Sequence, residues 1–197
     1  MPADAAHAAP PLARALREAT AQAHAAVEAL PHMPALARGA LTGGQYADVL
    51  RRHLALVEPW EGAHAPWLAT LSAQGWRYRA RGPALRADLA ALGTDPPAPA
   101  PVPEAEPAAV AWGQLYVIEG SLLGGRLIAR AIRAAQPALA GALAYFDLGS
   151  DAPGAWRQFQ TCLDTALPAP AQRQAAIDGA QAMFARFHQG LSTESSA

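Results

Sequence analysis

Alanine occupies about a quarter of this 197-residue chain, so roughly half of its 52% hydrophobic fraction is a single methyl group. Large core-filling side chains are correspondingly few, and close helix–helix packing is the arrangement that uses so many small ones. Strand signals are almost absent. No alternating runs of Val, Ile, Thr and Tyr stand between hairpin dipeptides.

Helical punctuation takes their place. Apolar residues recur at helical spacing from Leu12 to about Leu30 and stop at Pro31-His32-Met33-Pro34. Thr42 reads as the N-cap of a long second helix through Tyr46, Leu50, Leu54, Val57 and Trp60, with kinks expected at Pro59 or Pro66 and an end near Gly75. A short helix is expected from Pro83 to Leu92. Residues 94–108, TDPPAPAPVPEAEPA, hold six prolines and predict an extended connector. It joins parts of one domain, because neither side alone has enough large apolar residues for a core. Beyond it come a dense apolar helix from about Glu106 to Ala135 and two more near Gly154–Ala166 and Pro170–Leu191. The expectation is an all-α single domain over 1–197, of six to eight helices, with mobile ends at 1–11 and 192–197.

Charge and cysteine usage narrow the function. All 15 basic residues are Arg and the net charge is −1, so no basic excess exists to neutralise phosphates, and nucleic-acid binding is disfavoured. The single cysteine, Cys162, excludes a disulfide framework and a Cys-based zinc cluster. No apolar run reaches the ~18 residues of a membrane span, and the first residues lack the layout of a secretory signal. A cytoplasmic protein with no membrane insertion is the expectation.

Three places break helical rules. Gly120, Gly124 and Gly125 lie inside the stretch AWGQLYVIEGSLLGGRLIARAI, residues 111–132, at a cost of about 3 kcal/mol against alanine. Gly120 and Gly124 share a face, which serves either tight packing on a neighbouring helix or a bend that lays bare backbone against a flat ligand. In the first helix, Arg17, His24 and Glu28 fall ~100°, ~80° and ~120° round from Leu16, on one flank of the apolar stripe. Arg17 and His24 are about 10.5 Å apart along the axis. That spacing suits a ligand whose centre takes an imidazole and whose edge takes a cation, with Glu28 holding the tautomer. A boundary histidine with a helical ion pair is the alternative. Third, Glu61-Gly-Ala-His64 has the Glu-x-x-His spacing of di-iron bundles, but no second copy exists, and a solvated helix face is the better reading.

The first and fourth long helices together resemble heme oxygenase. Leu16-Arg17-Glu18-Ala19-Thr20 with His24 and Glu28 is similar to that family's proximal helix. The run Leu115-Tyr116-Val117-Ile118-Glu119-Gly120-Ser121-Leu122-Leu123-Gly124-Gly125 resembles the distal helix of bacterial members, and among them the enzymes that make biliverdin for bacteriophytochromes.

The resemblance implies a heme sandwiched between the proximal helix and a Gly-kinked distal one. His24 would be the axial ligand of the iron, Arg17 and Tyr116 would meet propionates, and Gly120, Gly124 and Gly125 would line the distal face, with the Gly124 N–H placed to donate to bound dioxygen. Ser121 stands where the animal enzymes carry an aspartate that organises distal water. The implied reaction is oxidative opening of heme, as cofactor and substrate, to biliverdin, carbon monoxide and ferrous iron. Electrons come from an external ferredoxin- or flavoprotein-type reductase, because no flavin or nicotinamide motif is present. The rival readings are a heme carrier or sensor that does not degrade its ligand, a metal oxidase using Glu61 and His64, and a structural partner of a phytochrome.

Overall fold

The computed structural model describes residues 11–149 and 152–192, and the expected mobile ends fall almost wholly outside them. Within the described residues the order is α1 (Leu12–Glu28), α2 (Met33–Ala37), α3 (Gly43–Thr70), α4 (Gly82–Ala91), α5 (Ala108–Ala135), α6 (Ala155–Ala166) and α7 (Pro170–Ser192). Short 3₁₀ turns follow α3 at Leu71–Gln74 and α5 at Pro137–Leu139. No helix among these residues is long and apolar enough to cross a membrane.

The helix ends follow from local chemistry. Thr42 accepts the Gln45 N–H through its hydroxyl, and Gln45 returns the bond to the Thr42 N–H at 2.9 Å, a reciprocal cap. α3 continues through Pro59 and Pro66 to Thr70, and the 3₁₀ turn that follows it stops at Gly75, which has φ 86°. The expected stop after Leu30 holds, but Met33–Ala37 forms an extra short helix with Pro34 in its first turn.

α7 is the common support of the fold: both α1 and α5 pack along it. The contact with α5 is backbone on backbone. A Cβ added at Gly113 would stand 1.8 Å from the Ala176 carbonyl oxygen, and one at Gly179 would stand 2.3 Å from that of Val110. Two clusters of buried side chains flank this axis. One gathers Leu12, Leu16, Trp60, Trp112, Leu115, Phe159 and Met183. The other gathers Leu36, Tyr46, Leu50, Leu85, Leu89 and Phe146.

Residues 137–149, for which the sequence suggests no helix, are fixed by polar bonds. Asp88, buried in α4, accepts the N–H groups of Ala144 (2.7 Å) and Tyr145 (2.9 Å), while the Tyr46 hydroxyl donates to the Ala142 carbonyl (2.7 Å). Burial nevertheless raises the Asp88 carboxyl, with these two N–H bonds opposing.

Gly113→Ala should destabilise the protein by about 3 kcal/mol, because the obstructing atoms are main chain. A thermal melt should then fall by roughly 6–12 °C relative to wild type. A change under about 1 kcal/mol in urea titration would mean that the crossing is looser than described.

Candidate functional site

Between the two clusters lies a cavity of ≈ 750 Å³, within the roughly 300–1,000 Å³ typical of small-molecule sites. One wall is the flank of α1 carrying Arg17, His24 and Glu28. The facing wall is the stretch of α5 carrying Tyr116, Gly120, Ser121, Gly124 and Gly125. All eight residues that the resemblance assigns to the site line this one cavity. Phe184, Phe187 and Leu191 of α7 contribute to its lining, as do Trp156 and Gln160 of α6.

On the α1 wall, His24 Nδ1 lies 3.4 Å from Glu28 Oε2. With that nitrogen directed along the helix, Nε2 is the one left for a metal. The imidazole meets the Phe184 ring edge-on at 5.6 Å, which limits its rotation. Arg17 acts electrostatically on Tyr116 opposite. Burial raises the Tyr116 hydroxyl above its ordinary value and the Arg17 charge partly opposes this. The Tyr116 ring packs against Trp156 at 5.3 Å, so one end of the cavity joins a cation, a phenol and aromatic faces.

On the α5 wall the glycines leave the helix unbroken from Ala108 to Ala135. What they provide is missing side chains rather than an interruption. A Cβ at Gly124 would meet no atom within 4 Å, so the space above it is cavity; at Gly120 it would meet only the Trp156 ring, at 3.6 Å. Gly125 differs, since its Cβ would press on the Phe146 carbonyl at 3.1 Å, and its smallness serves packing. Ser121 donates to the Ile118 carbonyl (2.8 Å). Burial pushes the Tyr145 hydroxyl up to about 12, with Arg81 and Ser121 pulling the other way.

Two wall residues escape sequence reasoning. His53 of α3 is buried; its Nδ1 pairs with the Val49 carbonyl at 2.8 Å and its ring faces Tyr145 at 5.5 Å. Its spacing along the chain carries no partner. Tyr145 comes from a segment without periodic signal and reaches the cavity through Asp88.

The Glu61–His64 pair takes no part, and its expected solvated face is corrected. His64 is buried, stacked on Trp60 at 4.8 Å, with Nδ1 on the Trp60 carbonyl. Glu61 accepts the Tyr78 hydroxyl (2.6 Å) and the N–H groups of Arg81 (2.5 Å) and Gly82 (3.1 Å), tying α3 to the start of α4. Both carboxylate oxygens are thus committed to structure.

Fold and cavity define an all-helical protein with a small-molecule-sized cavity bounded by an imidazole-bearing helix flank and a helix face bare of side chains. The sequence model of the heme oxygenase family, described as "Heme oxygenase", matches residues 10–193. A heme oxygenase of Xanthomonas campestris pv. campestris (strain 8004) is 51% identical over 162 residues, 82% of this chain and 98% of that protein. The solved heme oxygenase of Leptospira interrogans superposes with a TM-score of 0.74 at 21% identity, covering 93% of this chain and 99% of the other. That of Neisseria meningitidis, solved in NO- and CO-bound forms, gives 0.69 at 22% identity over 96% of each chain. The chain belongs to the heme oxygenase family. It is therefore an enzyme whose reactants are heme and dioxygen.

Gly124→Leu should weaken hemin binding about 10–100-fold, since the side chain enters the cavity. It should leave the melting temperature unchanged or higher, because Gly is a poor helix former. Hemin titration beside a thermal melt checks both. His53 gives a pH signature. Burial lowers its folded pKa below the ordinary ~6.5, so below that value the unfolded state binds the extra proton. Stability should fall on acidification through that window by up to about 1.4 kcal/mol per pH unit. His53→Gln should flatten the slope in urea melts between pH 5 and 7.

Proposed function

We propose that heme lies between α1 and α5 with its iron on His24 Nε2 and its carboxylate edge at Arg17 and Tyr116. The observation that carries this reading is the pairing of an imidazole oriented by Glu28 with open space above Gly124 across one cavity. The residues present fit such a group: an apolar slot, one axial nitrogen and a cation at one end. When bound, heme supplies the iron at which dioxygen is activated and is itself opened, giving biliverdin, carbon monoxide and ferrous iron.

The chain's own contribution is positional. Glu28 orients the His24 imidazole and fixes its tautomer. Gly120 and Gly124 bring bare helix backbone close to the far face of the ring, leaving little room above it. With heme in place, that backbone would limit the space open to a small molecule on this side and would steer it toward the cavity's edge. Ser121 cannot act as the acid that the animal enzymes use, so distal protons reach the site by other groups. Electrons come from an external ferredoxin- or flavoprotein-type reductase. The distal-helix run supports the narrower reading that the cytoplasmic biliverdin product serves as chromophore for a bacteriophytochrome.

The test is one absorption experiment. Hemin is bound stoichiometrically, then ascorbate is added in air with catalase present, for wild type and His24→Ala. Wild type should lose its Soret band and gain a broad red biliverdin band, and His24→Ala should do neither. A Soret band that persists in wild type would favour a heme carrier. Equal turnover by both proteins would remove His24 from the axial position.

A further inference from the structure

All five tryptophans of the chain belong to one network of touching rings, and the proposed mechanism gives that network no part. Phe159 of α6, fully buried, is its hub. Its ring centre lies 5.1 Å from that of Trp76, 5.9 Å from Trp112 and 5.6 Å from Trp156. Trp156 meets Tyr116 at 5.3 Å, and both line the substrate cavity. At the other end, Trp112 of α5 meets Trp67 of α3 edge-on at 5.6 Å. Every step falls within the roughly 4.5–7 Å of aromatic pairs in contact.

Packing explains the middle of this run but not its ends. Phe159 and Trp112 are buried, as core rings should be. Trp156 and Trp67 are buried only in part: one lines the cavity, and the other is partly open to solvent. Tyr116, Trp156, Phe159, Trp112 and Trp67 therefore join the cavity wall to the surface through unbroken ring contacts. Indoles and phenols are the large side chains that give up one electron most readily. Trp76, whose N–H is held by Glu119 at 3.3 Å, is a side branch within the core.

We infer that this run is an electron path that carries oxidising equivalents out of the substrate cavity to the surface, where a small reductant quenches them. The inference rests on heme occupying that cavity as proposed above. Dioxygen reduced by two electrons there stands at the level of peroxide. A peroxide whose O–O bond breaks without attack on the ring leaves the site short of electrons. That deficit otherwise falls on neighbouring side chains, and oxidation of a core residue such as Met183 disrupts packing.

Cleavage of one hydrogen peroxide takes two electrons and two protons and gives two waters. Each electron leaves Trp156 first. Trp112 refills Trp156 across the Phe159 ring, and Trp67 refills Trp112. The deficit then stands at Trp67, where a one-electron donor of the ascorbate class gives an electron and releases a proton to water. Two passages oxidise two donors, supply both protons and return every indole to its starting state. Phe159 is a bridge and is not itself oxidised.

The test uses the full chain as wild type, Trp112→Phe and Trp67→Phe, each loaded with hemin. Circular dichroism checks folding, and hemin titration checks loading. Without ascorbate, a pulse of hydrogen peroxide should give an indole radical in wild type by rapid-freeze electron paramagnetic resonance. A nitroso spin trap followed by peptide mass spectrometry should place its adduct on Trp67. Trp112→Phe should lose that adduct and carry oxidation at Tyr116 or Trp156 instead. With ascorbate present, wild type should keep its hemin-binding capacity through repeated pulses, and both variants should lose it. Trp67→Phe, at a partly exposed position, keeps this comparison decisive if Trp112→Phe fails to fold. No adduct on Trp67 in wild type, an adduct there that persists in Trp112→Phe or forms without hemin, or equal survival of wild type and Trp67→Phe would each overturn the path. Failure of wild type to bind hemin would overturn the site assignment, and the path with it.

Discussion

The placement of α5 against α7 decides most of what this molecule can do. Gly113 and Gly179 bring the two backbones together at distances that exclude even a methyl group, so α5 has little freedom to slide or roll on its support. α7 also carries α1, and the two cavity walls are therefore held by one rigid element. With both walls fixed, the absence of side chains at Gly120 and Gly124 becomes a gap of defined width. On a loosely packed α5, neighbouring side chains would swing in and close it.

That frame explains why the site uses residues so distant in sequence. The α1 wall supplies an imidazole already turned by Glu28, and the α5 wall supplies bare backbone. The rest is recruited by polar ties. Asp88 holds the main chain at Ala144 and Tyr145, which delivers a phenol to the cavity wall. Glu61 anchors Arg81 and Gly82, which places a guanidinium against Glu119 of α5. A Glu-x-x-His pair that resembles a metal motif is spent instead on holding two helices together, with His64 sealed against Trp60. A carboxylate with both oxygens satisfied by N–H and O–H donors is a poor metal ligand, whatever its spacing suggests.

Much of this was legible from the chain before folding. Six of the seven described helices fall where periodicity, capping, proline and glycine place them, as the Thr42–Gln45 box and Gly75 show, and α2 is the exception. The α1 flank of Arg17, His24 and Glu28 follows from a 100° rotation per residue, and the α5 face of Gly120 and Gly124 from their four-residue spacing. Only short-range geometry was needed for these. His53 and Tyr145 were not legible. Their roles depend on burial among elements far apart in sequence, which no periodicity encodes. Nor did the sequence distinguish Gly125, which packs on Phe146, from Gly124, which faces open space.

The sequence by itself determined the helices, their polar and apolar faces, and the chemistry each face presents, because these depend on residues within a few turns of one another. Tertiary structure alone decided which glycines pack on neighbouring atoms and which face open space, that Glu61 and His64 are structural, and that Arg81 and Glu119 meet in a buried ion pair. Those outcomes turn on which backbones touch. That contact is settled by filling space among seven helices at once, with the close fit of α5 on α7 fixing where the unfilled space remains.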